Sequence, residues 1–281
     1  MRMQSKARLL GRALCILNFA FCMSATGCAA KRISLPTDPG TPLAGFAQIH
    51  EQLSSACAGV RTLTAELGLS GRAGDQRLRG RVIAGFERPS SMRLEGAAPF
   101  GPAAFILVAR ANAATLLLPR ESRIVRNARP EAILGALTGV SLGPADLQAI
   151  LTGCVAPAPR ATTGRLHANG LASIDIVSGS ATPATATAAT IYLRRVSNQW
   201  ELRAARRDGW EIEYSGLQGR FPQAVRLESS SPDVRVDLFV TIGQLETNVD
   251  LDAATFSVPE PPDVLPLSVE ELREAGPLRG N

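Results

Sequence analysis

Histidine is nearly absent from this chain, at two residues in 281, so imidazole chemistry has little to work with. No Gly-x-Ser-x-Gly elbow occurs, and no pair of acids stands in a context recognisable for acid–base catalysis. Cysteine and histidine show no metal-ligand spacing. These absences argue against an enzyme and leave no cofactor to expect. A long apolar run is missing too. Ala13 to Ala25 is mostly apolar, but a membrane-spanning helix needs roughly 20 such residues. Strong basicity is only nominal: the net charge is +5, and Arg2, Lys6, Arg8 and Arg12 supply four of it, which leaves +1 beyond residue 27. A nucleic-acid partner loses its main support on that ground. The remaining cations are nearly all arginine at alternating positions, which reads as a solvated outer face.

What the N-terminus does contain is a basic start, a short apolar run and small residues, Ala25-Thr26-Gly27, before Cys28. That is a secretory signal over residues 1–27. The closing residues resemble the lipobox of bacterial lipoproteins, with Ala25 where leucine is usual, and this makes Cys28 the expected site of lipidation. The alternative is an ordinary signal with an incidental cysteine. Cys15 and Cys22 leave with the signal. Cys57 and Cys154 then either pair in an oxidising compartment or sit unpaired as small hydrophobes. Pro36, Pro39, Gly40 and Pro42 make residues 28–42 a tether.

Leu43, Phe46, Ile49, Leu53, Cys57 and Val60 recur at helical spacing, which predicts an amphipathic helix over 43–60. His50 lies beside that stripe as a surface or core histidine. Strands follow, with a turn from Gly71 to Asp75, a hairpin partner over Leu78–Glu87, and Ser91–Ala97. Pro130 and Gly139 bracket one short helix. Gly143-Pro144 begins a second. These two helices read as a lid, or equally as a structural cap. Beyond Gly164 the alternation returns in Leu171–Val177, Ile191–Leu193, Trp200–Leu202, Trp210–Tyr214, Ala224–Glu228 and Val234–Leu238, with both tryptophans as core residues. A proline-rich segment from Phe256 and a turn of helix over Val269–Glu274 close the chain. The spacing predicts a mainly β fold of about ten or eleven short antiparallel strands in an unclosed barrel or curled sheet. An N-terminal helix and short lid helices cover it. The domain is expected over 43–260, with a tail from 261 to 281.

One stretch organises the rest. In Ser91–Glu95, Met92 and Leu94 alternate with Arg93 and Glu95, as in a half-buried strand. After Pro99-Phe100-Gly101, the strands 102–110 and 113–119 are apolar on both faces. A water-exposed antiparallel sheet has no need of that, so something apolar must cover them. The expectation is a cavity for lipid lined by Phe86, Met92, Leu94, Phe105, Leu107, Leu116 and Leu118. A register error of one residue would reverse that face. Ile133, Leu134, Leu137, Leu147, Ile150 and Leu151 form the lid's apolar side.

Several blocks occur in a fixed order: Arg88-Pro89 with Arg93-Leu94, Pro99-Phe100-Gly101, Glu131 to Gly139, Leu142-Gly143-Pro144, and Gly209 to Tyr214 before Phe221-Pro222. On these blocks, over roughly residues 43–245, the chain resembles the LolB family of outer-membrane lipoprotein receptors and the wider LolA/LolB fold. The resemblance implies an acyl-chain cavity in an unclosed barrel and no covalent chemistry. It further implies a monomer that takes acylated lipoproteins from a LolA-like periplasmic carrier and places them among outer membrane lipids. It matches Pro99, Phe100 and Gly101 to the loop that inserts into the membrane, with Phe100 at its tip, either exposed or folded back over the core. Arg88 resembles the carrier's arginine that bonds the lid, and the ending Asp252 to Phe256 is also carrier-like. An anchored lipid-binding or scaffolding protein with another ligand is the alternative.

Overall fold

A computed structural model describes residues 32–98, 100–156, 159–178, 187–229, 235–258 and 260–275. The signal, Cys28 and Pro99 therefore lie outside the described residues. Fifteen strands form one sheet: β1 (Thr41–Pro42), β2 (Thr62–Ala73), β3 (Gln76–Glu87), β4 (Ser91–Ala97), β5 (Phe105–Arg110), β6 (Ala113–Leu118), β7 (Arg123–Ala128), β8 (Arg160–Leu166), β9 (Leu171–Ser178), β10 (Thr187–Val196), β11 (Gln199–Arg207), β12 (Trp210–Gln218), β13 (Phe221–Ser229), β14 (Val236–Thr247) and β15 (Leu265–Pro266). The helices are α1 (Phe46–Ala58), α2 (Pro130–Thr138), α3 (Pro144–Leu151) and α4 (Val269–Ala275).

The order in the sheet is β1-β8-β9-β10-β11-β12-β13-β14-β2-β3-β4-β5-β6-β7-β15. Only β7 and β15 run parallel. The chain meanders from β2 to one edge at β7, crosses to the far edge at β8, and meanders back until β14 pairs with β2. Residues 129–159 make the crossing, and they carry α2 and α3. Those helices must span the gap between the two edges. This is the expected unclosed antiparallel barrel, with more strands than the ten or eleven expected. Two of the extra ones are the two-residue strands β1 and β15.

Local chemistry explains the boundaries. Pro130 and Pro144 take the first helical positions of α2 and α3, and Gly139 closes α2 in the left-handed conformation. Ser268 and Glu271 form a reciprocal capping box on α4, with backbone N–H to side-chain distances of 2.8 and 3.1 Å. The expected turn at Gly71–Asp75 shortens to Gly74 and Asp75. Gly71 stays inside β2, with φ of 146°, because a Cβ there would lie 2.1 Å from the Asp237 carbonyl oxygen of β14. The glycine signals close approach of a strand rather than a reversal.

Two expectations need correction. Residues 261–275 are not a loose tail: β15 extends the sheet, Leu267 and Leu272 are buried, and α4 packs on α2. The compact unit starts at Leu35 and continues past residue 260. The double-sided apolarity of β5 and β6 also has a simpler cause than lipid. Phe105 and Leu107 face the core, while Val108 on the other face is covered by the segment Ala253–Phe256. Arg93 and Arg110 hold that segment through the carbonyls of Thr255, Ser257 and Ala253 at 2.8–3.2 Å.

Candidate functional site

The barrel is filled unevenly. On the β2–β7 side, Phe86, Met92, Leu94, Phe105, Leu107, Leu116 and Leu118 are all buried in the core. Ile133, Leu134, Leu137, Ile150 and Leu151 of α2 and α3 join them, with Leu147 partly buried at the margin. These are the expected cavity and lid residues, and none lines the main hollow. They belong to one buried cluster, where each large side chain contributes roughly 1.5–3 kcal/mol. On the other side, β9 to β11 bring Ala172, Ala189 and Ala205 into the same core.

A cavity of about 390 Å³ lies between α1 and the strands β9 to β13. Ile49, His50, Leu53 and Cys57 of α1 form one wall. Ile176, Ile191, Trp200, Leu202, Tyr214, Leu217 and Phe221 of β9 to β13 form the opposite one. Thr152 to Val155, just past α3, close one side. The lid over this hollow is therefore α1 and residues 152–155, rather than α2 and α3. Helix α1 rests on β8, where Gly164 makes room for it: a Cβ there would lie 2.3 Å from Phe46 Cβ. A second, more open hollow of about 540 Å³ lies by Asp175, Arg206, Asp208 and Glu211. Being more open, it encloses a ligand less well.

Three links fix the lid. Cys57 and Cys154 form a disulfide, joining the end of α1 to the segment after α3. Arg207, on β11 and with its side chain only 6% exposed, donates to Asp146 Oδ1 in the first turn of α3 at 2.6 Å. It also donates to the Val155 carbonyl at 3.0 Å and to Asp208 at 3.2 Å. Arg88 donates to the carbonyls of Cys57 at 2.9 Å and Ala58 at 3.4 Å, so it caps the end of α1 and not the mid-chain helices. Arg88 thus contacts the lid at α1 rather than at α2 and α3. Arg207 makes the bond to the mid-chain helices, and no periodicity in the sequence marked it out.

Phe100 stands at the tip between β4 and β5 and is 89% exposed. Arg120 holds this tip from beneath, donating to the carbonyls of Phe100 at 2.8 Å and Pro102 at 3.2 Å. Gly101 takes a φ of 79° there. The backbone is thus anchored while the ring faces solvent, an arrangement that isolated surface hydrophobics do not need.

Polar side chains interrupt the cavity wall, among them Gln52, Ser54, Glu201 and Arg220 as well as His50 and Tyr214. His50 is buried, and burial lowers its pKa, which keeps the imidazole neutral near pH 7. The Tyr214 hydroxyl is buried without a hydrogen-bond partner among the described residues. The strict alternation Trp210-Glu211-Ile212-Glu213-Tyr214 put a tyrosine on an inward face, which was the available signal for this group.

The sequence matches no family model and no curated protein. By structure, the chain is similar to an outer membrane lipoprotein-sorting protein domain from Vibrio parahaemolyticus, with TM-score 0.47 and 9% identity over 75% of this chain and 95% of that one. It is also similar to a LolA superfamily protein from Nitrosomonas europaea, with TM-score 0.50 and 11% identity over 75% of this chain and 97% of that one. The second likeness, with the sheet order above, establishes a LolA-like fold.

Proposed function

We propose that this is an acyl-chain-binding protein, anchored to the outer membrane through Cys28, that receives lipoproteins from a LolA-like carrier and inserts them in the membrane. The observation that carries the reading is the cavity of about 390 Å³ beneath a pinned helix, with Ile49, Leu53, Ile176, Ile191, Leu202 and Leu217 in its wall. Its size falls in the range of roughly 300–1,000 Å³ typical of small-molecule sites. Affinity comes from hydrocarbon burial, about 0.8 kcal/mol per CH2, so cargo moves between proteins without any covalent step. The Cys57–Cys154 disulfide fits an oxidising compartment. The solvent-facing Phe100 ring supports a role at the bilayer surface.

The purified chain is therefore expected to bind a fluorescent fatty-acyl probe, and an acylated peptide should displace it. Absence of probe binding in the oxidised protein would end the proposal. Phe100→Asp should leave stability within about 0.5 kcal/mol. It should weaken association with phospholipid vesicles at least about tenfold, the equivalent of burying one aromatic side chain.

A further inference from the structure

Arginines on the outer face of the sheet are mostly met by acids: Arg81 by Glu66 at 2.9 Å, Arg93 by Glu95, Arg206 by Glu211 and Arg226 by Asp237. The β2–β3 hairpin departs from this. Arg72 stands directly opposite Arg77, and Arg79 follows on the same face of β3, because residues two apart share a face. All three are exposed, while Leu78 and Val82 of the same strand turn to the core. None of the three has a hydrogen-bond or ion-pair partner among the described residues. Asp237, the neighbour of Arg72 on β14, is taken by Arg226. The turn adds one acid, Asp75, and beside it Arg235, whose carbonyl accepts the Gly74 N–H at 2.7 Å. Like charges directly opposite on neighbouring strands oppose folding, so stability alone does not account for this pair.

The surroundings indicate what meets the charge. Arg81 pairs with Ala97, the last residue of β4. Arg79, Arg77 and the Phe100 tip all lie beyond that pair, at one end of the sheet. Two strand residues advance about 6.7 Å, and each headgroup layer of a bilayer is roughly 5–8 Å deep. A Phe100 ring dipped past the headgroups therefore leaves the hairpin arginines within reach of the phosphates. Guanidinium groups hold phosphate oxygens through paired N–H donors. We infer that Arg72, Arg77 and Arg79 form a docking face for anionic phospholipid headgroups, set just behind the Phe100 tip. The inference rests on the membrane reading of Phe100 and adds the class of lipid on which that tip lands.

The test is sedimentation with vesicles of neutral phosphatidylcholine, and of phosphatidylcholine mixed with anionic phosphatidylglycerol. The chain from residue 28, with Cys28→Ser to remove any acyl anchor, keeps the whole compact unit that starts at Leu35. A basic residue near an anionic surface is worth roughly fivefold in binding. The parent should prefer the anionic vesicles, and added salt should erode the preference. Arg72→Gln, Arg77→Gln and Arg79→Gln together should cut that preference roughly fifty- to two-hundredfold and leave binding to neutral vesicles unchanged. This triple variant should melt no earlier than the parent, because a repulsive pair is gone. A control, Arg160→Gln with Arg194→Gln on the exposed positions of β8 and β10, should cost less than about fivefold. No anionic preference in the parent, an undiminished preference in the triple variant, or an equal loss in the control would each overturn the inference. So would polyglutamate binding that needs the three arginines when vesicle binding does not, since the face would then take an acidic polypeptide. Phe100→Ser should weaken both vesicle types alike, and its failure to do so counts against the tip alone. Parent protein that binds neither vesicle would remove both readings.

Discussion

Breaking the link between Cys57 and Cys154 should be the most costly single change to this fold. The two residues are 97 apart in sequence, and loop closure of that length constrains the unfolded chain by about 4.7 kcal/mol in the chain-entropy account. Domain stabilities are roughly 5–15 kcal/mol, so the loss is a large share of the total. The folded state keeps other supports for α1: Phe46 against Gly164, the Leu43 N–H to the Gly164 carbonyl at 3.0 Å, and the Arg88 cap. The oxidised protein, the chemically reduced protein and the Cys57→Ala, Cys154→Ala double variant can be compared by equilibrium unfolding in urea. Trp200, on the cavity wall, serves as the fluorescent probe. With an m-value of about 2–3 kcal/mol/M, both altered forms should unfold about 1.5–2.5 M earlier. Reduced and double-variant midpoints within about 0.3 M of the oxidised protein would refute the reasoning, since then the bridge would constrain nothing that the remaining contacts do not.

Asp146→Ala should destabilise by about 1–3 kcal/mol because it removes the shorter of a buried arginine's two carboxylate contacts, whereas Arg207→Met should cost less; equal midpoint losses in urea would contradict this. Gly96→Ala should cost about 1–3 kcal/mol, because a Cβ there would lie 2.5 Å from the Phe105 ring; an unchanged melting temperature would show that the ring moves freely. The Glu271 carboxyl is pulled down to about 2 by hydrogen bonds from Ser268 and Arg123. Its support for α4 is therefore complete above the ordinary carboxyl value of 4.5 and fades as pH falls toward 2. A carbon-13 NMR titration of this side chain with its midpoint at or above 4.5 would contradict the assignment.

The fold was legible in the sequence because period-two alternation and the turn residues between strands act locally. Pro130, Gly139 and Pro144 mark α2 and α3 for the same reason. The cavity was not legible, because its position depends on how α1 sits against strands more than 100 residues later in the chain. Phe86, Met92 and Leu107 looked like a lining because they are the greasiest inward residues. In fact they pack in the core, and the hollow opens beneath α1 instead. The apolar outer face of β5 also misled, since the segment that covers it comes about 150 residues later. The role of Arg207 was not legible either: besides the adjacent Asp208, its partners lie 52 and 61 residues away.

An open sheet has two raw edges, and each is a template on which another chain can crystallise as an additional strand. Here β7 and β8 are both faced by a dipeptide, Leu265–Pro266 on one and Thr41–Pro42 on the other. Each guard ends in a residue with no N–H to offer, so neither margin presents an unbroken row of donors. A protein built this way can remain an open half-barrel without polymerising through its sides. Any visitor must then approach by way of the helices and loop tips, where grease and shape decide, and not by backbone zippering.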